Sequence, residues 1–372
     1  MAGIAGIEVG LPATIDEVDA EWMTSVFRTS GALSEAGSVT SLSVEPFAVG
    51  VGFLSLLYRV TPSYAGDAAG APETVIVKMV TDMETQRGIA DALQFYQREL
   101  RFYREVAPTV GFGTATMHAA IMGEGTTDFV LVMEDLSNLR ALDQLEGVSA
   151  EDALVSAATM AEFHAIHWGS DLNDLATTFL PFDNPIYRAA LPDVFASGWD
   201  TCKAEAGDLL TPEVIAFGDR FGELVPFFIE QVGHGDDMTL MHGDWRADNL
   251  MMNDDDGTLT VVDFQISGTG VGIYDLGYFM SQSLEPEVRR EASSSIVDRY
   301  LETLDGAGIT YDRARMMRIF KLTTAWCLIY PVSSFASFDE LPEHTQALAR
   351  AFLRRSVTAM LDEDALSLLP SA

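Results

Sequence analysis

The chain has 372 residues, 48% of them hydrophobic, and sets 56 acidic against 22 basic side chains for a formal charge of −34 at pH 7. That length can bury one large core or two adjoining ones. The charge repels nucleic-acid phosphates and anionic lipid headgroups, so neither nucleic acid nor membrane is an expected partner.

The two cysteines, Cys202 and Cys327, lie far apart and outside any CxxC or Cys/His spacing. Neither a disulfide framework nor a structural zinc site is indicated, and a reducing cytoplasm is the expected location. Met1–Gly10 carries no positive charge ahead of an apolar core, and no stretch approaches the roughly 18 apolar residues of a membrane span. The acidity is spread along the whole chain, as a solubility feature is, rather than gathered into a surface for cations. Lysine occurs only at Lys78, Lys203 and Lys321, so each marks a place where a compact ammonium is wanted and an arginine fork would not serve.

In chain order, Thr14–Thr29 opens on a cap-like Thr14/Asp16 and spaces Val18, Trp22 and Val26 as a helix does. Three antiparallel strands follow at Val39–Phe47, Phe53–Thr61 and Thr74–Val80, the last two joined by a Gly/Ala/Pro-rich loop, Pro62–Pro72. Asp82–Val106 reads as one long amphipathic helix through Ile89, Leu93, Tyr96, Leu100 and Tyr103, ended by Pro108. Strands at Thr116–Met122 and Asp128–Glu134 complete a five-stranded lobe. Helical periodicity then dominates, at Ala150–Trp168, Pro212–Val232, Pro286–Leu304, Asp312–Val332 and Pro342–Met360. The exception is a hairpin, Leu250–Met252 and Leu259–Val262, around the turn dipeptide Asp256-Gly257. The expected fold is α+β and bilobal. Residues 1–135 form a β-rich lobe with one helix inside the strand order, and residues 136–372 a mainly helical lobe holding the hairpin.

The chemistry concentrates in His242-Gly243-Asp244-Trp245-Arg246-Ala247-Asp248-Asn249 and, beyond the hairpin, Val262-Asp263-Phe264-Gln265. A loop carrying Asp244 and Asn249, with a return strand bringing Asp263 beside them, is the cluster phosphoryl transfer needs. Magnesium must bridge the phosphates while a carboxylate aligns the attacking hydroxyl and takes its proton. HGDxxxxN with the downstream DFQ and Tyr274-Asp275-Leu276 resembles the aminoglycoside phosphotransferase superfamily, nearest its ecdysteroid-kinase-like and choline-kinase-like small-molecule kinases. The resemblance implies a protein-kinase-like fold with ATP, or GTP, and Mg2+ between the lobes. It makes Asp244 the base, Asn249 and Asp263 the metal ligands, His242 the residue that orders the loop and Asp275 its brace. Trp245 and Phe264 are expected in the core.

In the first lobe Gly50-Val51-Gly52 would let backbone amides approach phosphate, although GxG also suits any tight hairpin. Lys78, in Val75-Ile76-Val77-Lys78, sits where a kinase ammonium reaches the α- and β-phosphates. Glu99 is its candidate partner and Glu105 the competing one, both also explicable as surface i,i+4 pairs. Glu134 and Leu136 resemble a hinge whose backbone faces the purine. His164 and His167 do not follow the HExxH order of a metal helix and read as packing. Asp254-Asp255-Asp256-Gly257 fails as a calcium loop because Met252 holds the first ligand position.

Too few residues separate Asp263 from Asp275 to seat a peptide, so a protein substrate is disfavoured. The acceptor is expected among the later helices. Trp326, Tyr330 and Phe335 offer aromatic surface there and Asp339, Glu340 and Glu343 offer charge, with core and solvated turn as their plain reading. The resemblance implies a bulky apolar alcohol. An aminoglycoside or other antibiotic is the alternative acceptor, and a non-catalytic nucleotide-binding pseudokinase or a metal-dependent hydrolase the alternatives of different class. The expected assembly is a monomer or homodimer.

Overall fold

The first helix, α1 (Ala20–Ser30), starts later than Thr14 because Asp19, not Thr14 or Asp16, caps it: Asp19 Oδ1 accepts the Trp22 N–H at 2.8 Å. Ile15–Glu17 is only a 3-10 turn, and Gly31, left-handed at φ 77°, closes the helix. The structure is a computed structural model that describes residues 4–47, 54–125, 127–169 and 172–371. Two units are resolved in it, Met1–Leu139 and Arg140–Ala372.

In the first unit β1 (Gly37–Phe47) pairs with β2 (Ser55–Gly66), which pairs with β3 (Val75–Val80). After α2 (Glu84–Ala92), α3 (Phe95–Arg101) and a two-residue strand β4 (Gly113–Thr114) come β5 (Met117–Met122) and β6 (Phe129–Glu134). They complete an antiparallel sheet of order β1-β2-β3-β6-β5. Strand alternation sends Val75, Val77 and Met79 toward Met23, Val26 and Phe27 of α1, and Ile76 and Lys78 to the opposite face.

Two expectations for this unit are corrected. The loop assigned to Pro62–Pro72 begins only after Gly66, and Pro62 lies in β2 opposite Leu42. Since β3 covers only Ser55–Val60 of β2, Pro62 has a strand on one side only among the described residues, a position that tolerates its missing N–H. The long helix Asp82–Val106 is broken at Gln94, which is left-handed at φ 55°. Its last turn, Phe102–Val106, is a π-helix. Apolar periodicity runs through both pieces and cannot reveal a one-residue reset. The reset leaves Ile89 47% exposed while burying Phe95, Tyr96, Arg98 and Glu99.

The second unit contains β7 (Arg140–Ala141), α4 (Ala150–His167), α5 (Asn173–Ala176), α6 (Pro185–Ala206), α7 (Pro212–Gly218) and α8 (Phe221–Gly233). Strands β8 (Met238–Met241), β9 (Leu250–Asn253), β10 (Thr258–Val261) and β11 (Gly268–Val271) follow, then α9 (Ile273–Ser283), α10 (Pro286–Gly306), α11 (Arg313–Trp326), α12 (Ile329–Ser334) and α13 (Glu343–Asp362). Pro212–Val232 and Asp312–Val332 are therefore each two helices, broken after Gly218 and Trp326. Helix α6 has no counterpart in the sequence reading, since Pro192 and Gly198 interrupt its pattern.

The run Arg313–Glu340 is long and apolar enough to cross a membrane by length and composition alone, but 72% of its apolar window is buried inside the protein, as in a core helix. Helix α6 reaches α12 through Gly198: a Cβ there would lie 1.9 Å from the Val332 carbonyl oxygen. Gly198→Ala is therefore expected to destabilise the protein by about 2 kcal/mol, read as a lower urea midpoint. An unchanged midpoint would show that α6 can shift freely.

Candidate functional site

Strands β8 and β11 pair antiparallel, Met241 opposite Gly268, and from β8 the chain enters the loop His242–Arg246 and a 3-10 turn, Ala247–Asn249. The hairpin β9–β10 then returns Val262, whose N–H donates to the Asn249 carbonyl at 3.0 Å. The next residue, Asp263, is left-handed at φ 65°. An aspartate held in that conformation is a local strain that the surrounding structure must enforce. Gly243 is left-handed too, at φ 83°, and a Cβ on it would stand 2.8 Å from the Ile266 carbonyl oxygen, so glycine is required there.

His242 is buried and its hydrogen bonds fix its tautomer. Nε2 donates to the Val262 carbonyl at 3.0 Å, and Nδ1 accepts the Asp244 N–H at 3.1 Å. The imidazole thereby ties the loop to the hairpin's return. Asp275, fully buried at the start of α9, accepts the His242 N–H at 2.7 Å and the Gly243 N–H at 3.0 Å. His164 of α4 lies 3.1 Å from the same carboxylate through Nε2 and 2.8 Å from the Tyr300 hydroxyl through Nδ1. His164 is thus a buried link behind the loop, whereas His167 is half-buried, its pKa lowered by burial.

Asp244 keeps 18% of its side chain exposed and is held at both oxygens. The Tyr278 hydroxyl donates to Oδ1 at 2.6 Å, and Asn249 Nδ2 and Arg246 Nε donate to Oδ2 at 3.1 and 3.2 Å. Arg246 also pairs with Asp248, Nη1 to Oδ2 2.6 Å. Burial disfavours the Arg246 charge, but Asp244, Tyr278 and Asp248 together raise its pKa. Burial likewise raises that of Asp248, against the pull of Arg246. Beneath the loop Gln144 Oε1 and Ser283 Oγ accept the Ala247 N–H at 2.8 and 3.1 Å. Trp245 and Phe264 are buried in the core, the indole donating to Ser156 at 2.8 Å.

The donor set fits a hard divalent cation. Asn249 turns its amide nitrogen to Asp244, leaving Oδ1 as its second polar atom, and Asp263 supplies a carboxylate. Among the described residues no group of three or more His, Cys, Asp or Glu side chains converges on one point. Magnesium, which retains waters and takes phosphate oxygens, does not need such a cage.

In the first unit Lys78 of β3 and Glu99 of α3 form a buried pair, Nζ to Oε1 2.8 Å, while Glu105 pairs with Arg101 at the surface. Glu134 ends β6, its N–H bonded to the Thr116 carbonyl at 2.8 Å, and the Leu136 carbonyl accepts the Leu139 N–H at 2.9 Å. Gly50 and Gly52 lie outside the described residues. Of the aromatic trio, Trp326 is buried against Phe182, Phe221 and Phe228, and Phe335 against Phe338. Only Tyr330 approaches the loop, its ring 4.8 Å edge-on to Tyr278 and its hydroxyl bonded to that of Tyr274. Asp339, Glu340 and Glu343 are exposed.

Arg246, Gln144, Tyr278 and Ser283 were not singled out from the sequence. Tyr278 carried a usable signal: it follows Asp275 by one helical turn and so shares its face.

No curated protein matches the chain. Among solved structures it is similar to a choline kinase from Cryptosporidium parvum, at 11% identity and TM-score 0.54 over 92% of this chain and 95% of that one. An ethanolamine kinase from Plasmodium vivax aligns at 13% identity and TM-score 0.50 over 87% and 81%. An amicoumacin kinase bound to AMP-PNP and Ca2+ aligns at 14% and 0.52 over 94% and 95%. These likenesses establish the α+β, protein-kinase-like fold. The model of the ecdysteroid kinase-like family matches residues 49–308, so the chain belongs to that family and is a phosphotransferase with a small-molecule hydroxyl as acceptor.

Proposed function

We propose that the protein transfers the γ-phosphoryl group of ATP, or GTP, to a hydroxyl of a bulky, mostly apolar alcohol, with Asp244 as the general base. The observation that carries this reading is the state of Asp244: a carboxylate oriented by donors at both oxygens, yet still partly exposed. A hydroxyl placed against it gives up its proton to the carboxylate as its oxygen bonds to the γ-phosphorus. The bond from that phosphorus to the β–γ bridging oxygen breaks, and the nucleoside diphosphate leaves. Asn249 and Asp263 would hold Mg2+, which when bound neutralises charge on the phosphates. His242 and Asp275 keep the loop in place.

In the first unit Lys78 is assigned to the α- and β-phosphates and Glu99 to orienting its ammonium. Gly50 and Gly52 are assigned to phosphate contact, and the backbone at Glu134 and Leu136 to the purine. Residues 1–135 would thus serve the nucleotide, and residues 136–372 catalysis and the acceptor. The reading places the protein in the cytoplasm.

The test is release of ADP or GDP by the purified protein with magnesium, across sterols and other bulky alcohols, aminoglycosides, macrolides and hydroxy acids. Stimulation by an apolar alcohol, abolished by EDTA, is the expected result. Stimulation by aminoglycosides alone would replace the apolar acceptor with a cationic one. Tight magnesium-nucleotide binding with no release under any condition would leave a nucleotide-binding protein without transfer.

A further inference from the structure

We propose that Tyr278 is a positioning residue for phosphoryl transfer, its hydroxyl fixing the direction in which Asp244 presents its carboxylate. This rests on the assignment of Asp244 as base. A hydroxyl donor 2.6 Å from a carboxylate makes a short, charge-assisted hydrogen bond, and it is made to Oδ1, whereas the hydrogen bonds of 3.1 and 3.2 Å from Asn249 and Arg246 go to Oδ2. Those two donors belong to the same loop as Asp244 and move with it. Tyr278 comes from α9 and ties the carboxylate to a separate, rigid element.

The ring itself has little freedom. Tyr278 is 3% exposed, stacked at 6.2 Å on Tyr274 and met edge-on by Tyr330, and the hydroxyls of those two tyrosines bond to each other. Helix α9 is fixed in turn by Gly277: a Cβ there would stand 2.8 Å from Thr323 Cβ of α11, so the two helices touch along their backbones. One turn earlier, Asp275 holds the amides of His242 and Gly243. Helix α9 therefore grips the loop twice, at its backbone through Asp275 and at the reacting side chain through Tyr278. Rate depends on such alignment, because a base turned away from the attacking hydroxyl loses the advantage of proximity.

Any buried phenol needs a hydrogen-bond partner, so the contact alone would also suit a structural tyrosine. Tyr278→Phe separates the two, since it keeps the ring and its packing and removes only the donor. The assay is ADP release from magnesium-ATP with the most stimulating alcohol of the panel, or with water as acceptor where none stimulates. Calorimetric ATP binding and thermal melting are read on the same protein. The expected result is a kcat about tenfold lower, with KM for ATP and the melting temperature essentially unchanged. In an Asp244→Asn background, Tyr278→Phe should cause no further loss.

An unchanged kcat in Tyr278→Phe, or the same fractional loss with and without Asp244, would overturn the proposal. If Asp244→Asn itself released ADP at the wild-type rate, the assignment of the base would fail instead. A crystal structure of Tyr278→Phe gives a readout independent of turnover: the Asp244 carboxylate should leave its wild-type rotamer, and an unmoved carboxylate also overturns the proposal.

Discussion

Asp244→Ala is expected to slow nucleoside diphosphate release by about a thousandfold while leaving nucleotide affinity within about twofold, and Asp263→Asn to weaken magnesium-dependent nucleotide binding itself. The two carboxylates lie on neighbouring segments but are assigned different tasks in the proposed reaction, and the choice of substitution follows from their conformations. Asp244 accepts hydrogen bonds from Tyr278, Arg246 and Asn249. Removing it leaves the buried Tyr278 hydroxyl without this acceptor, at a cost of about 1–3 kcal/mol, while Arg246 keeps Asp248 and Asn249 keeps the residue-244 carbonyl, so the fold is expected to survive. Asp263 is left-handed, a region that alanine enters at a cost of about 1 kcal/mol. Asparagine accepts that conformation far more readily, so Asp263→Asn removes the charge without disturbing the turn. The measurements are single-turnover release and calorimetric titration with ATP, with and without magnesium. Loss of magnesium dependence in Asp244→Ala with normal binding by Asp263→Asn would exchange the two roles. Full activity in both would remove the assignment.

What could be read from the sequence was local. His242, Asp244 and Asn249 fall within one short loop, and the Asp256-Gly257 turn obliges the chain to bring Asp263 back to it, so four residues and a hairpin were legible together. The pairing of Lys78 with Glu99 was legible for a different reason: lysine is so scarce that a buried-strand lysine stands out. Elements joined over long separations were not legible. Gln144 reaches the Ala247 amide across half the helical unit, and nothing in the residues around Gln144 announces it. The break at Gln94 escaped because amphipathic spacing continues on both sides. Beyond that break Glu99 faces inward to Lys78, while Glu105, six residues on and within the π-helical turn, pairs with Arg101 at the surface.

Arg355→Met is expected to cost about 3 kcal/mol of stability and to lower turnover as well, although Arg355 lies on α13, beyond the residues that match the family. The side chain is fully buried. Its guanidinium donates to the carbonyls of Gln144 at 2.5 Å, Leu145 at 2.8 Å and Gln282 at 3.1 Å, and to Glu285 Oε1 at 2.6 and 2.9 Å. Methionine fills much of the volume but leaves three carbonyls without this donor and a carboxylate without this counter-charge. Glu285 is 28% exposed and recovers some hydration, which holds the expected cost to the low end of the range for a broken buried pair. Arg355→Lys should rescue little, because one ammonium cannot satisfy a fork of acceptors set at fixed angles. The effect on turnover follows from Gln144: the residue whose carbonyl Arg355 holds is the one whose side chain accepts the Ala247 N–H beneath the base loop. Urea unfolding would give the first quantity and the rate of nucleoside diphosphate release at saturating ATP the second. A loss of stability with unchanged turnover would mean that Gln144 keeps its place without Arg355, and that the loop takes its order from α9 alone.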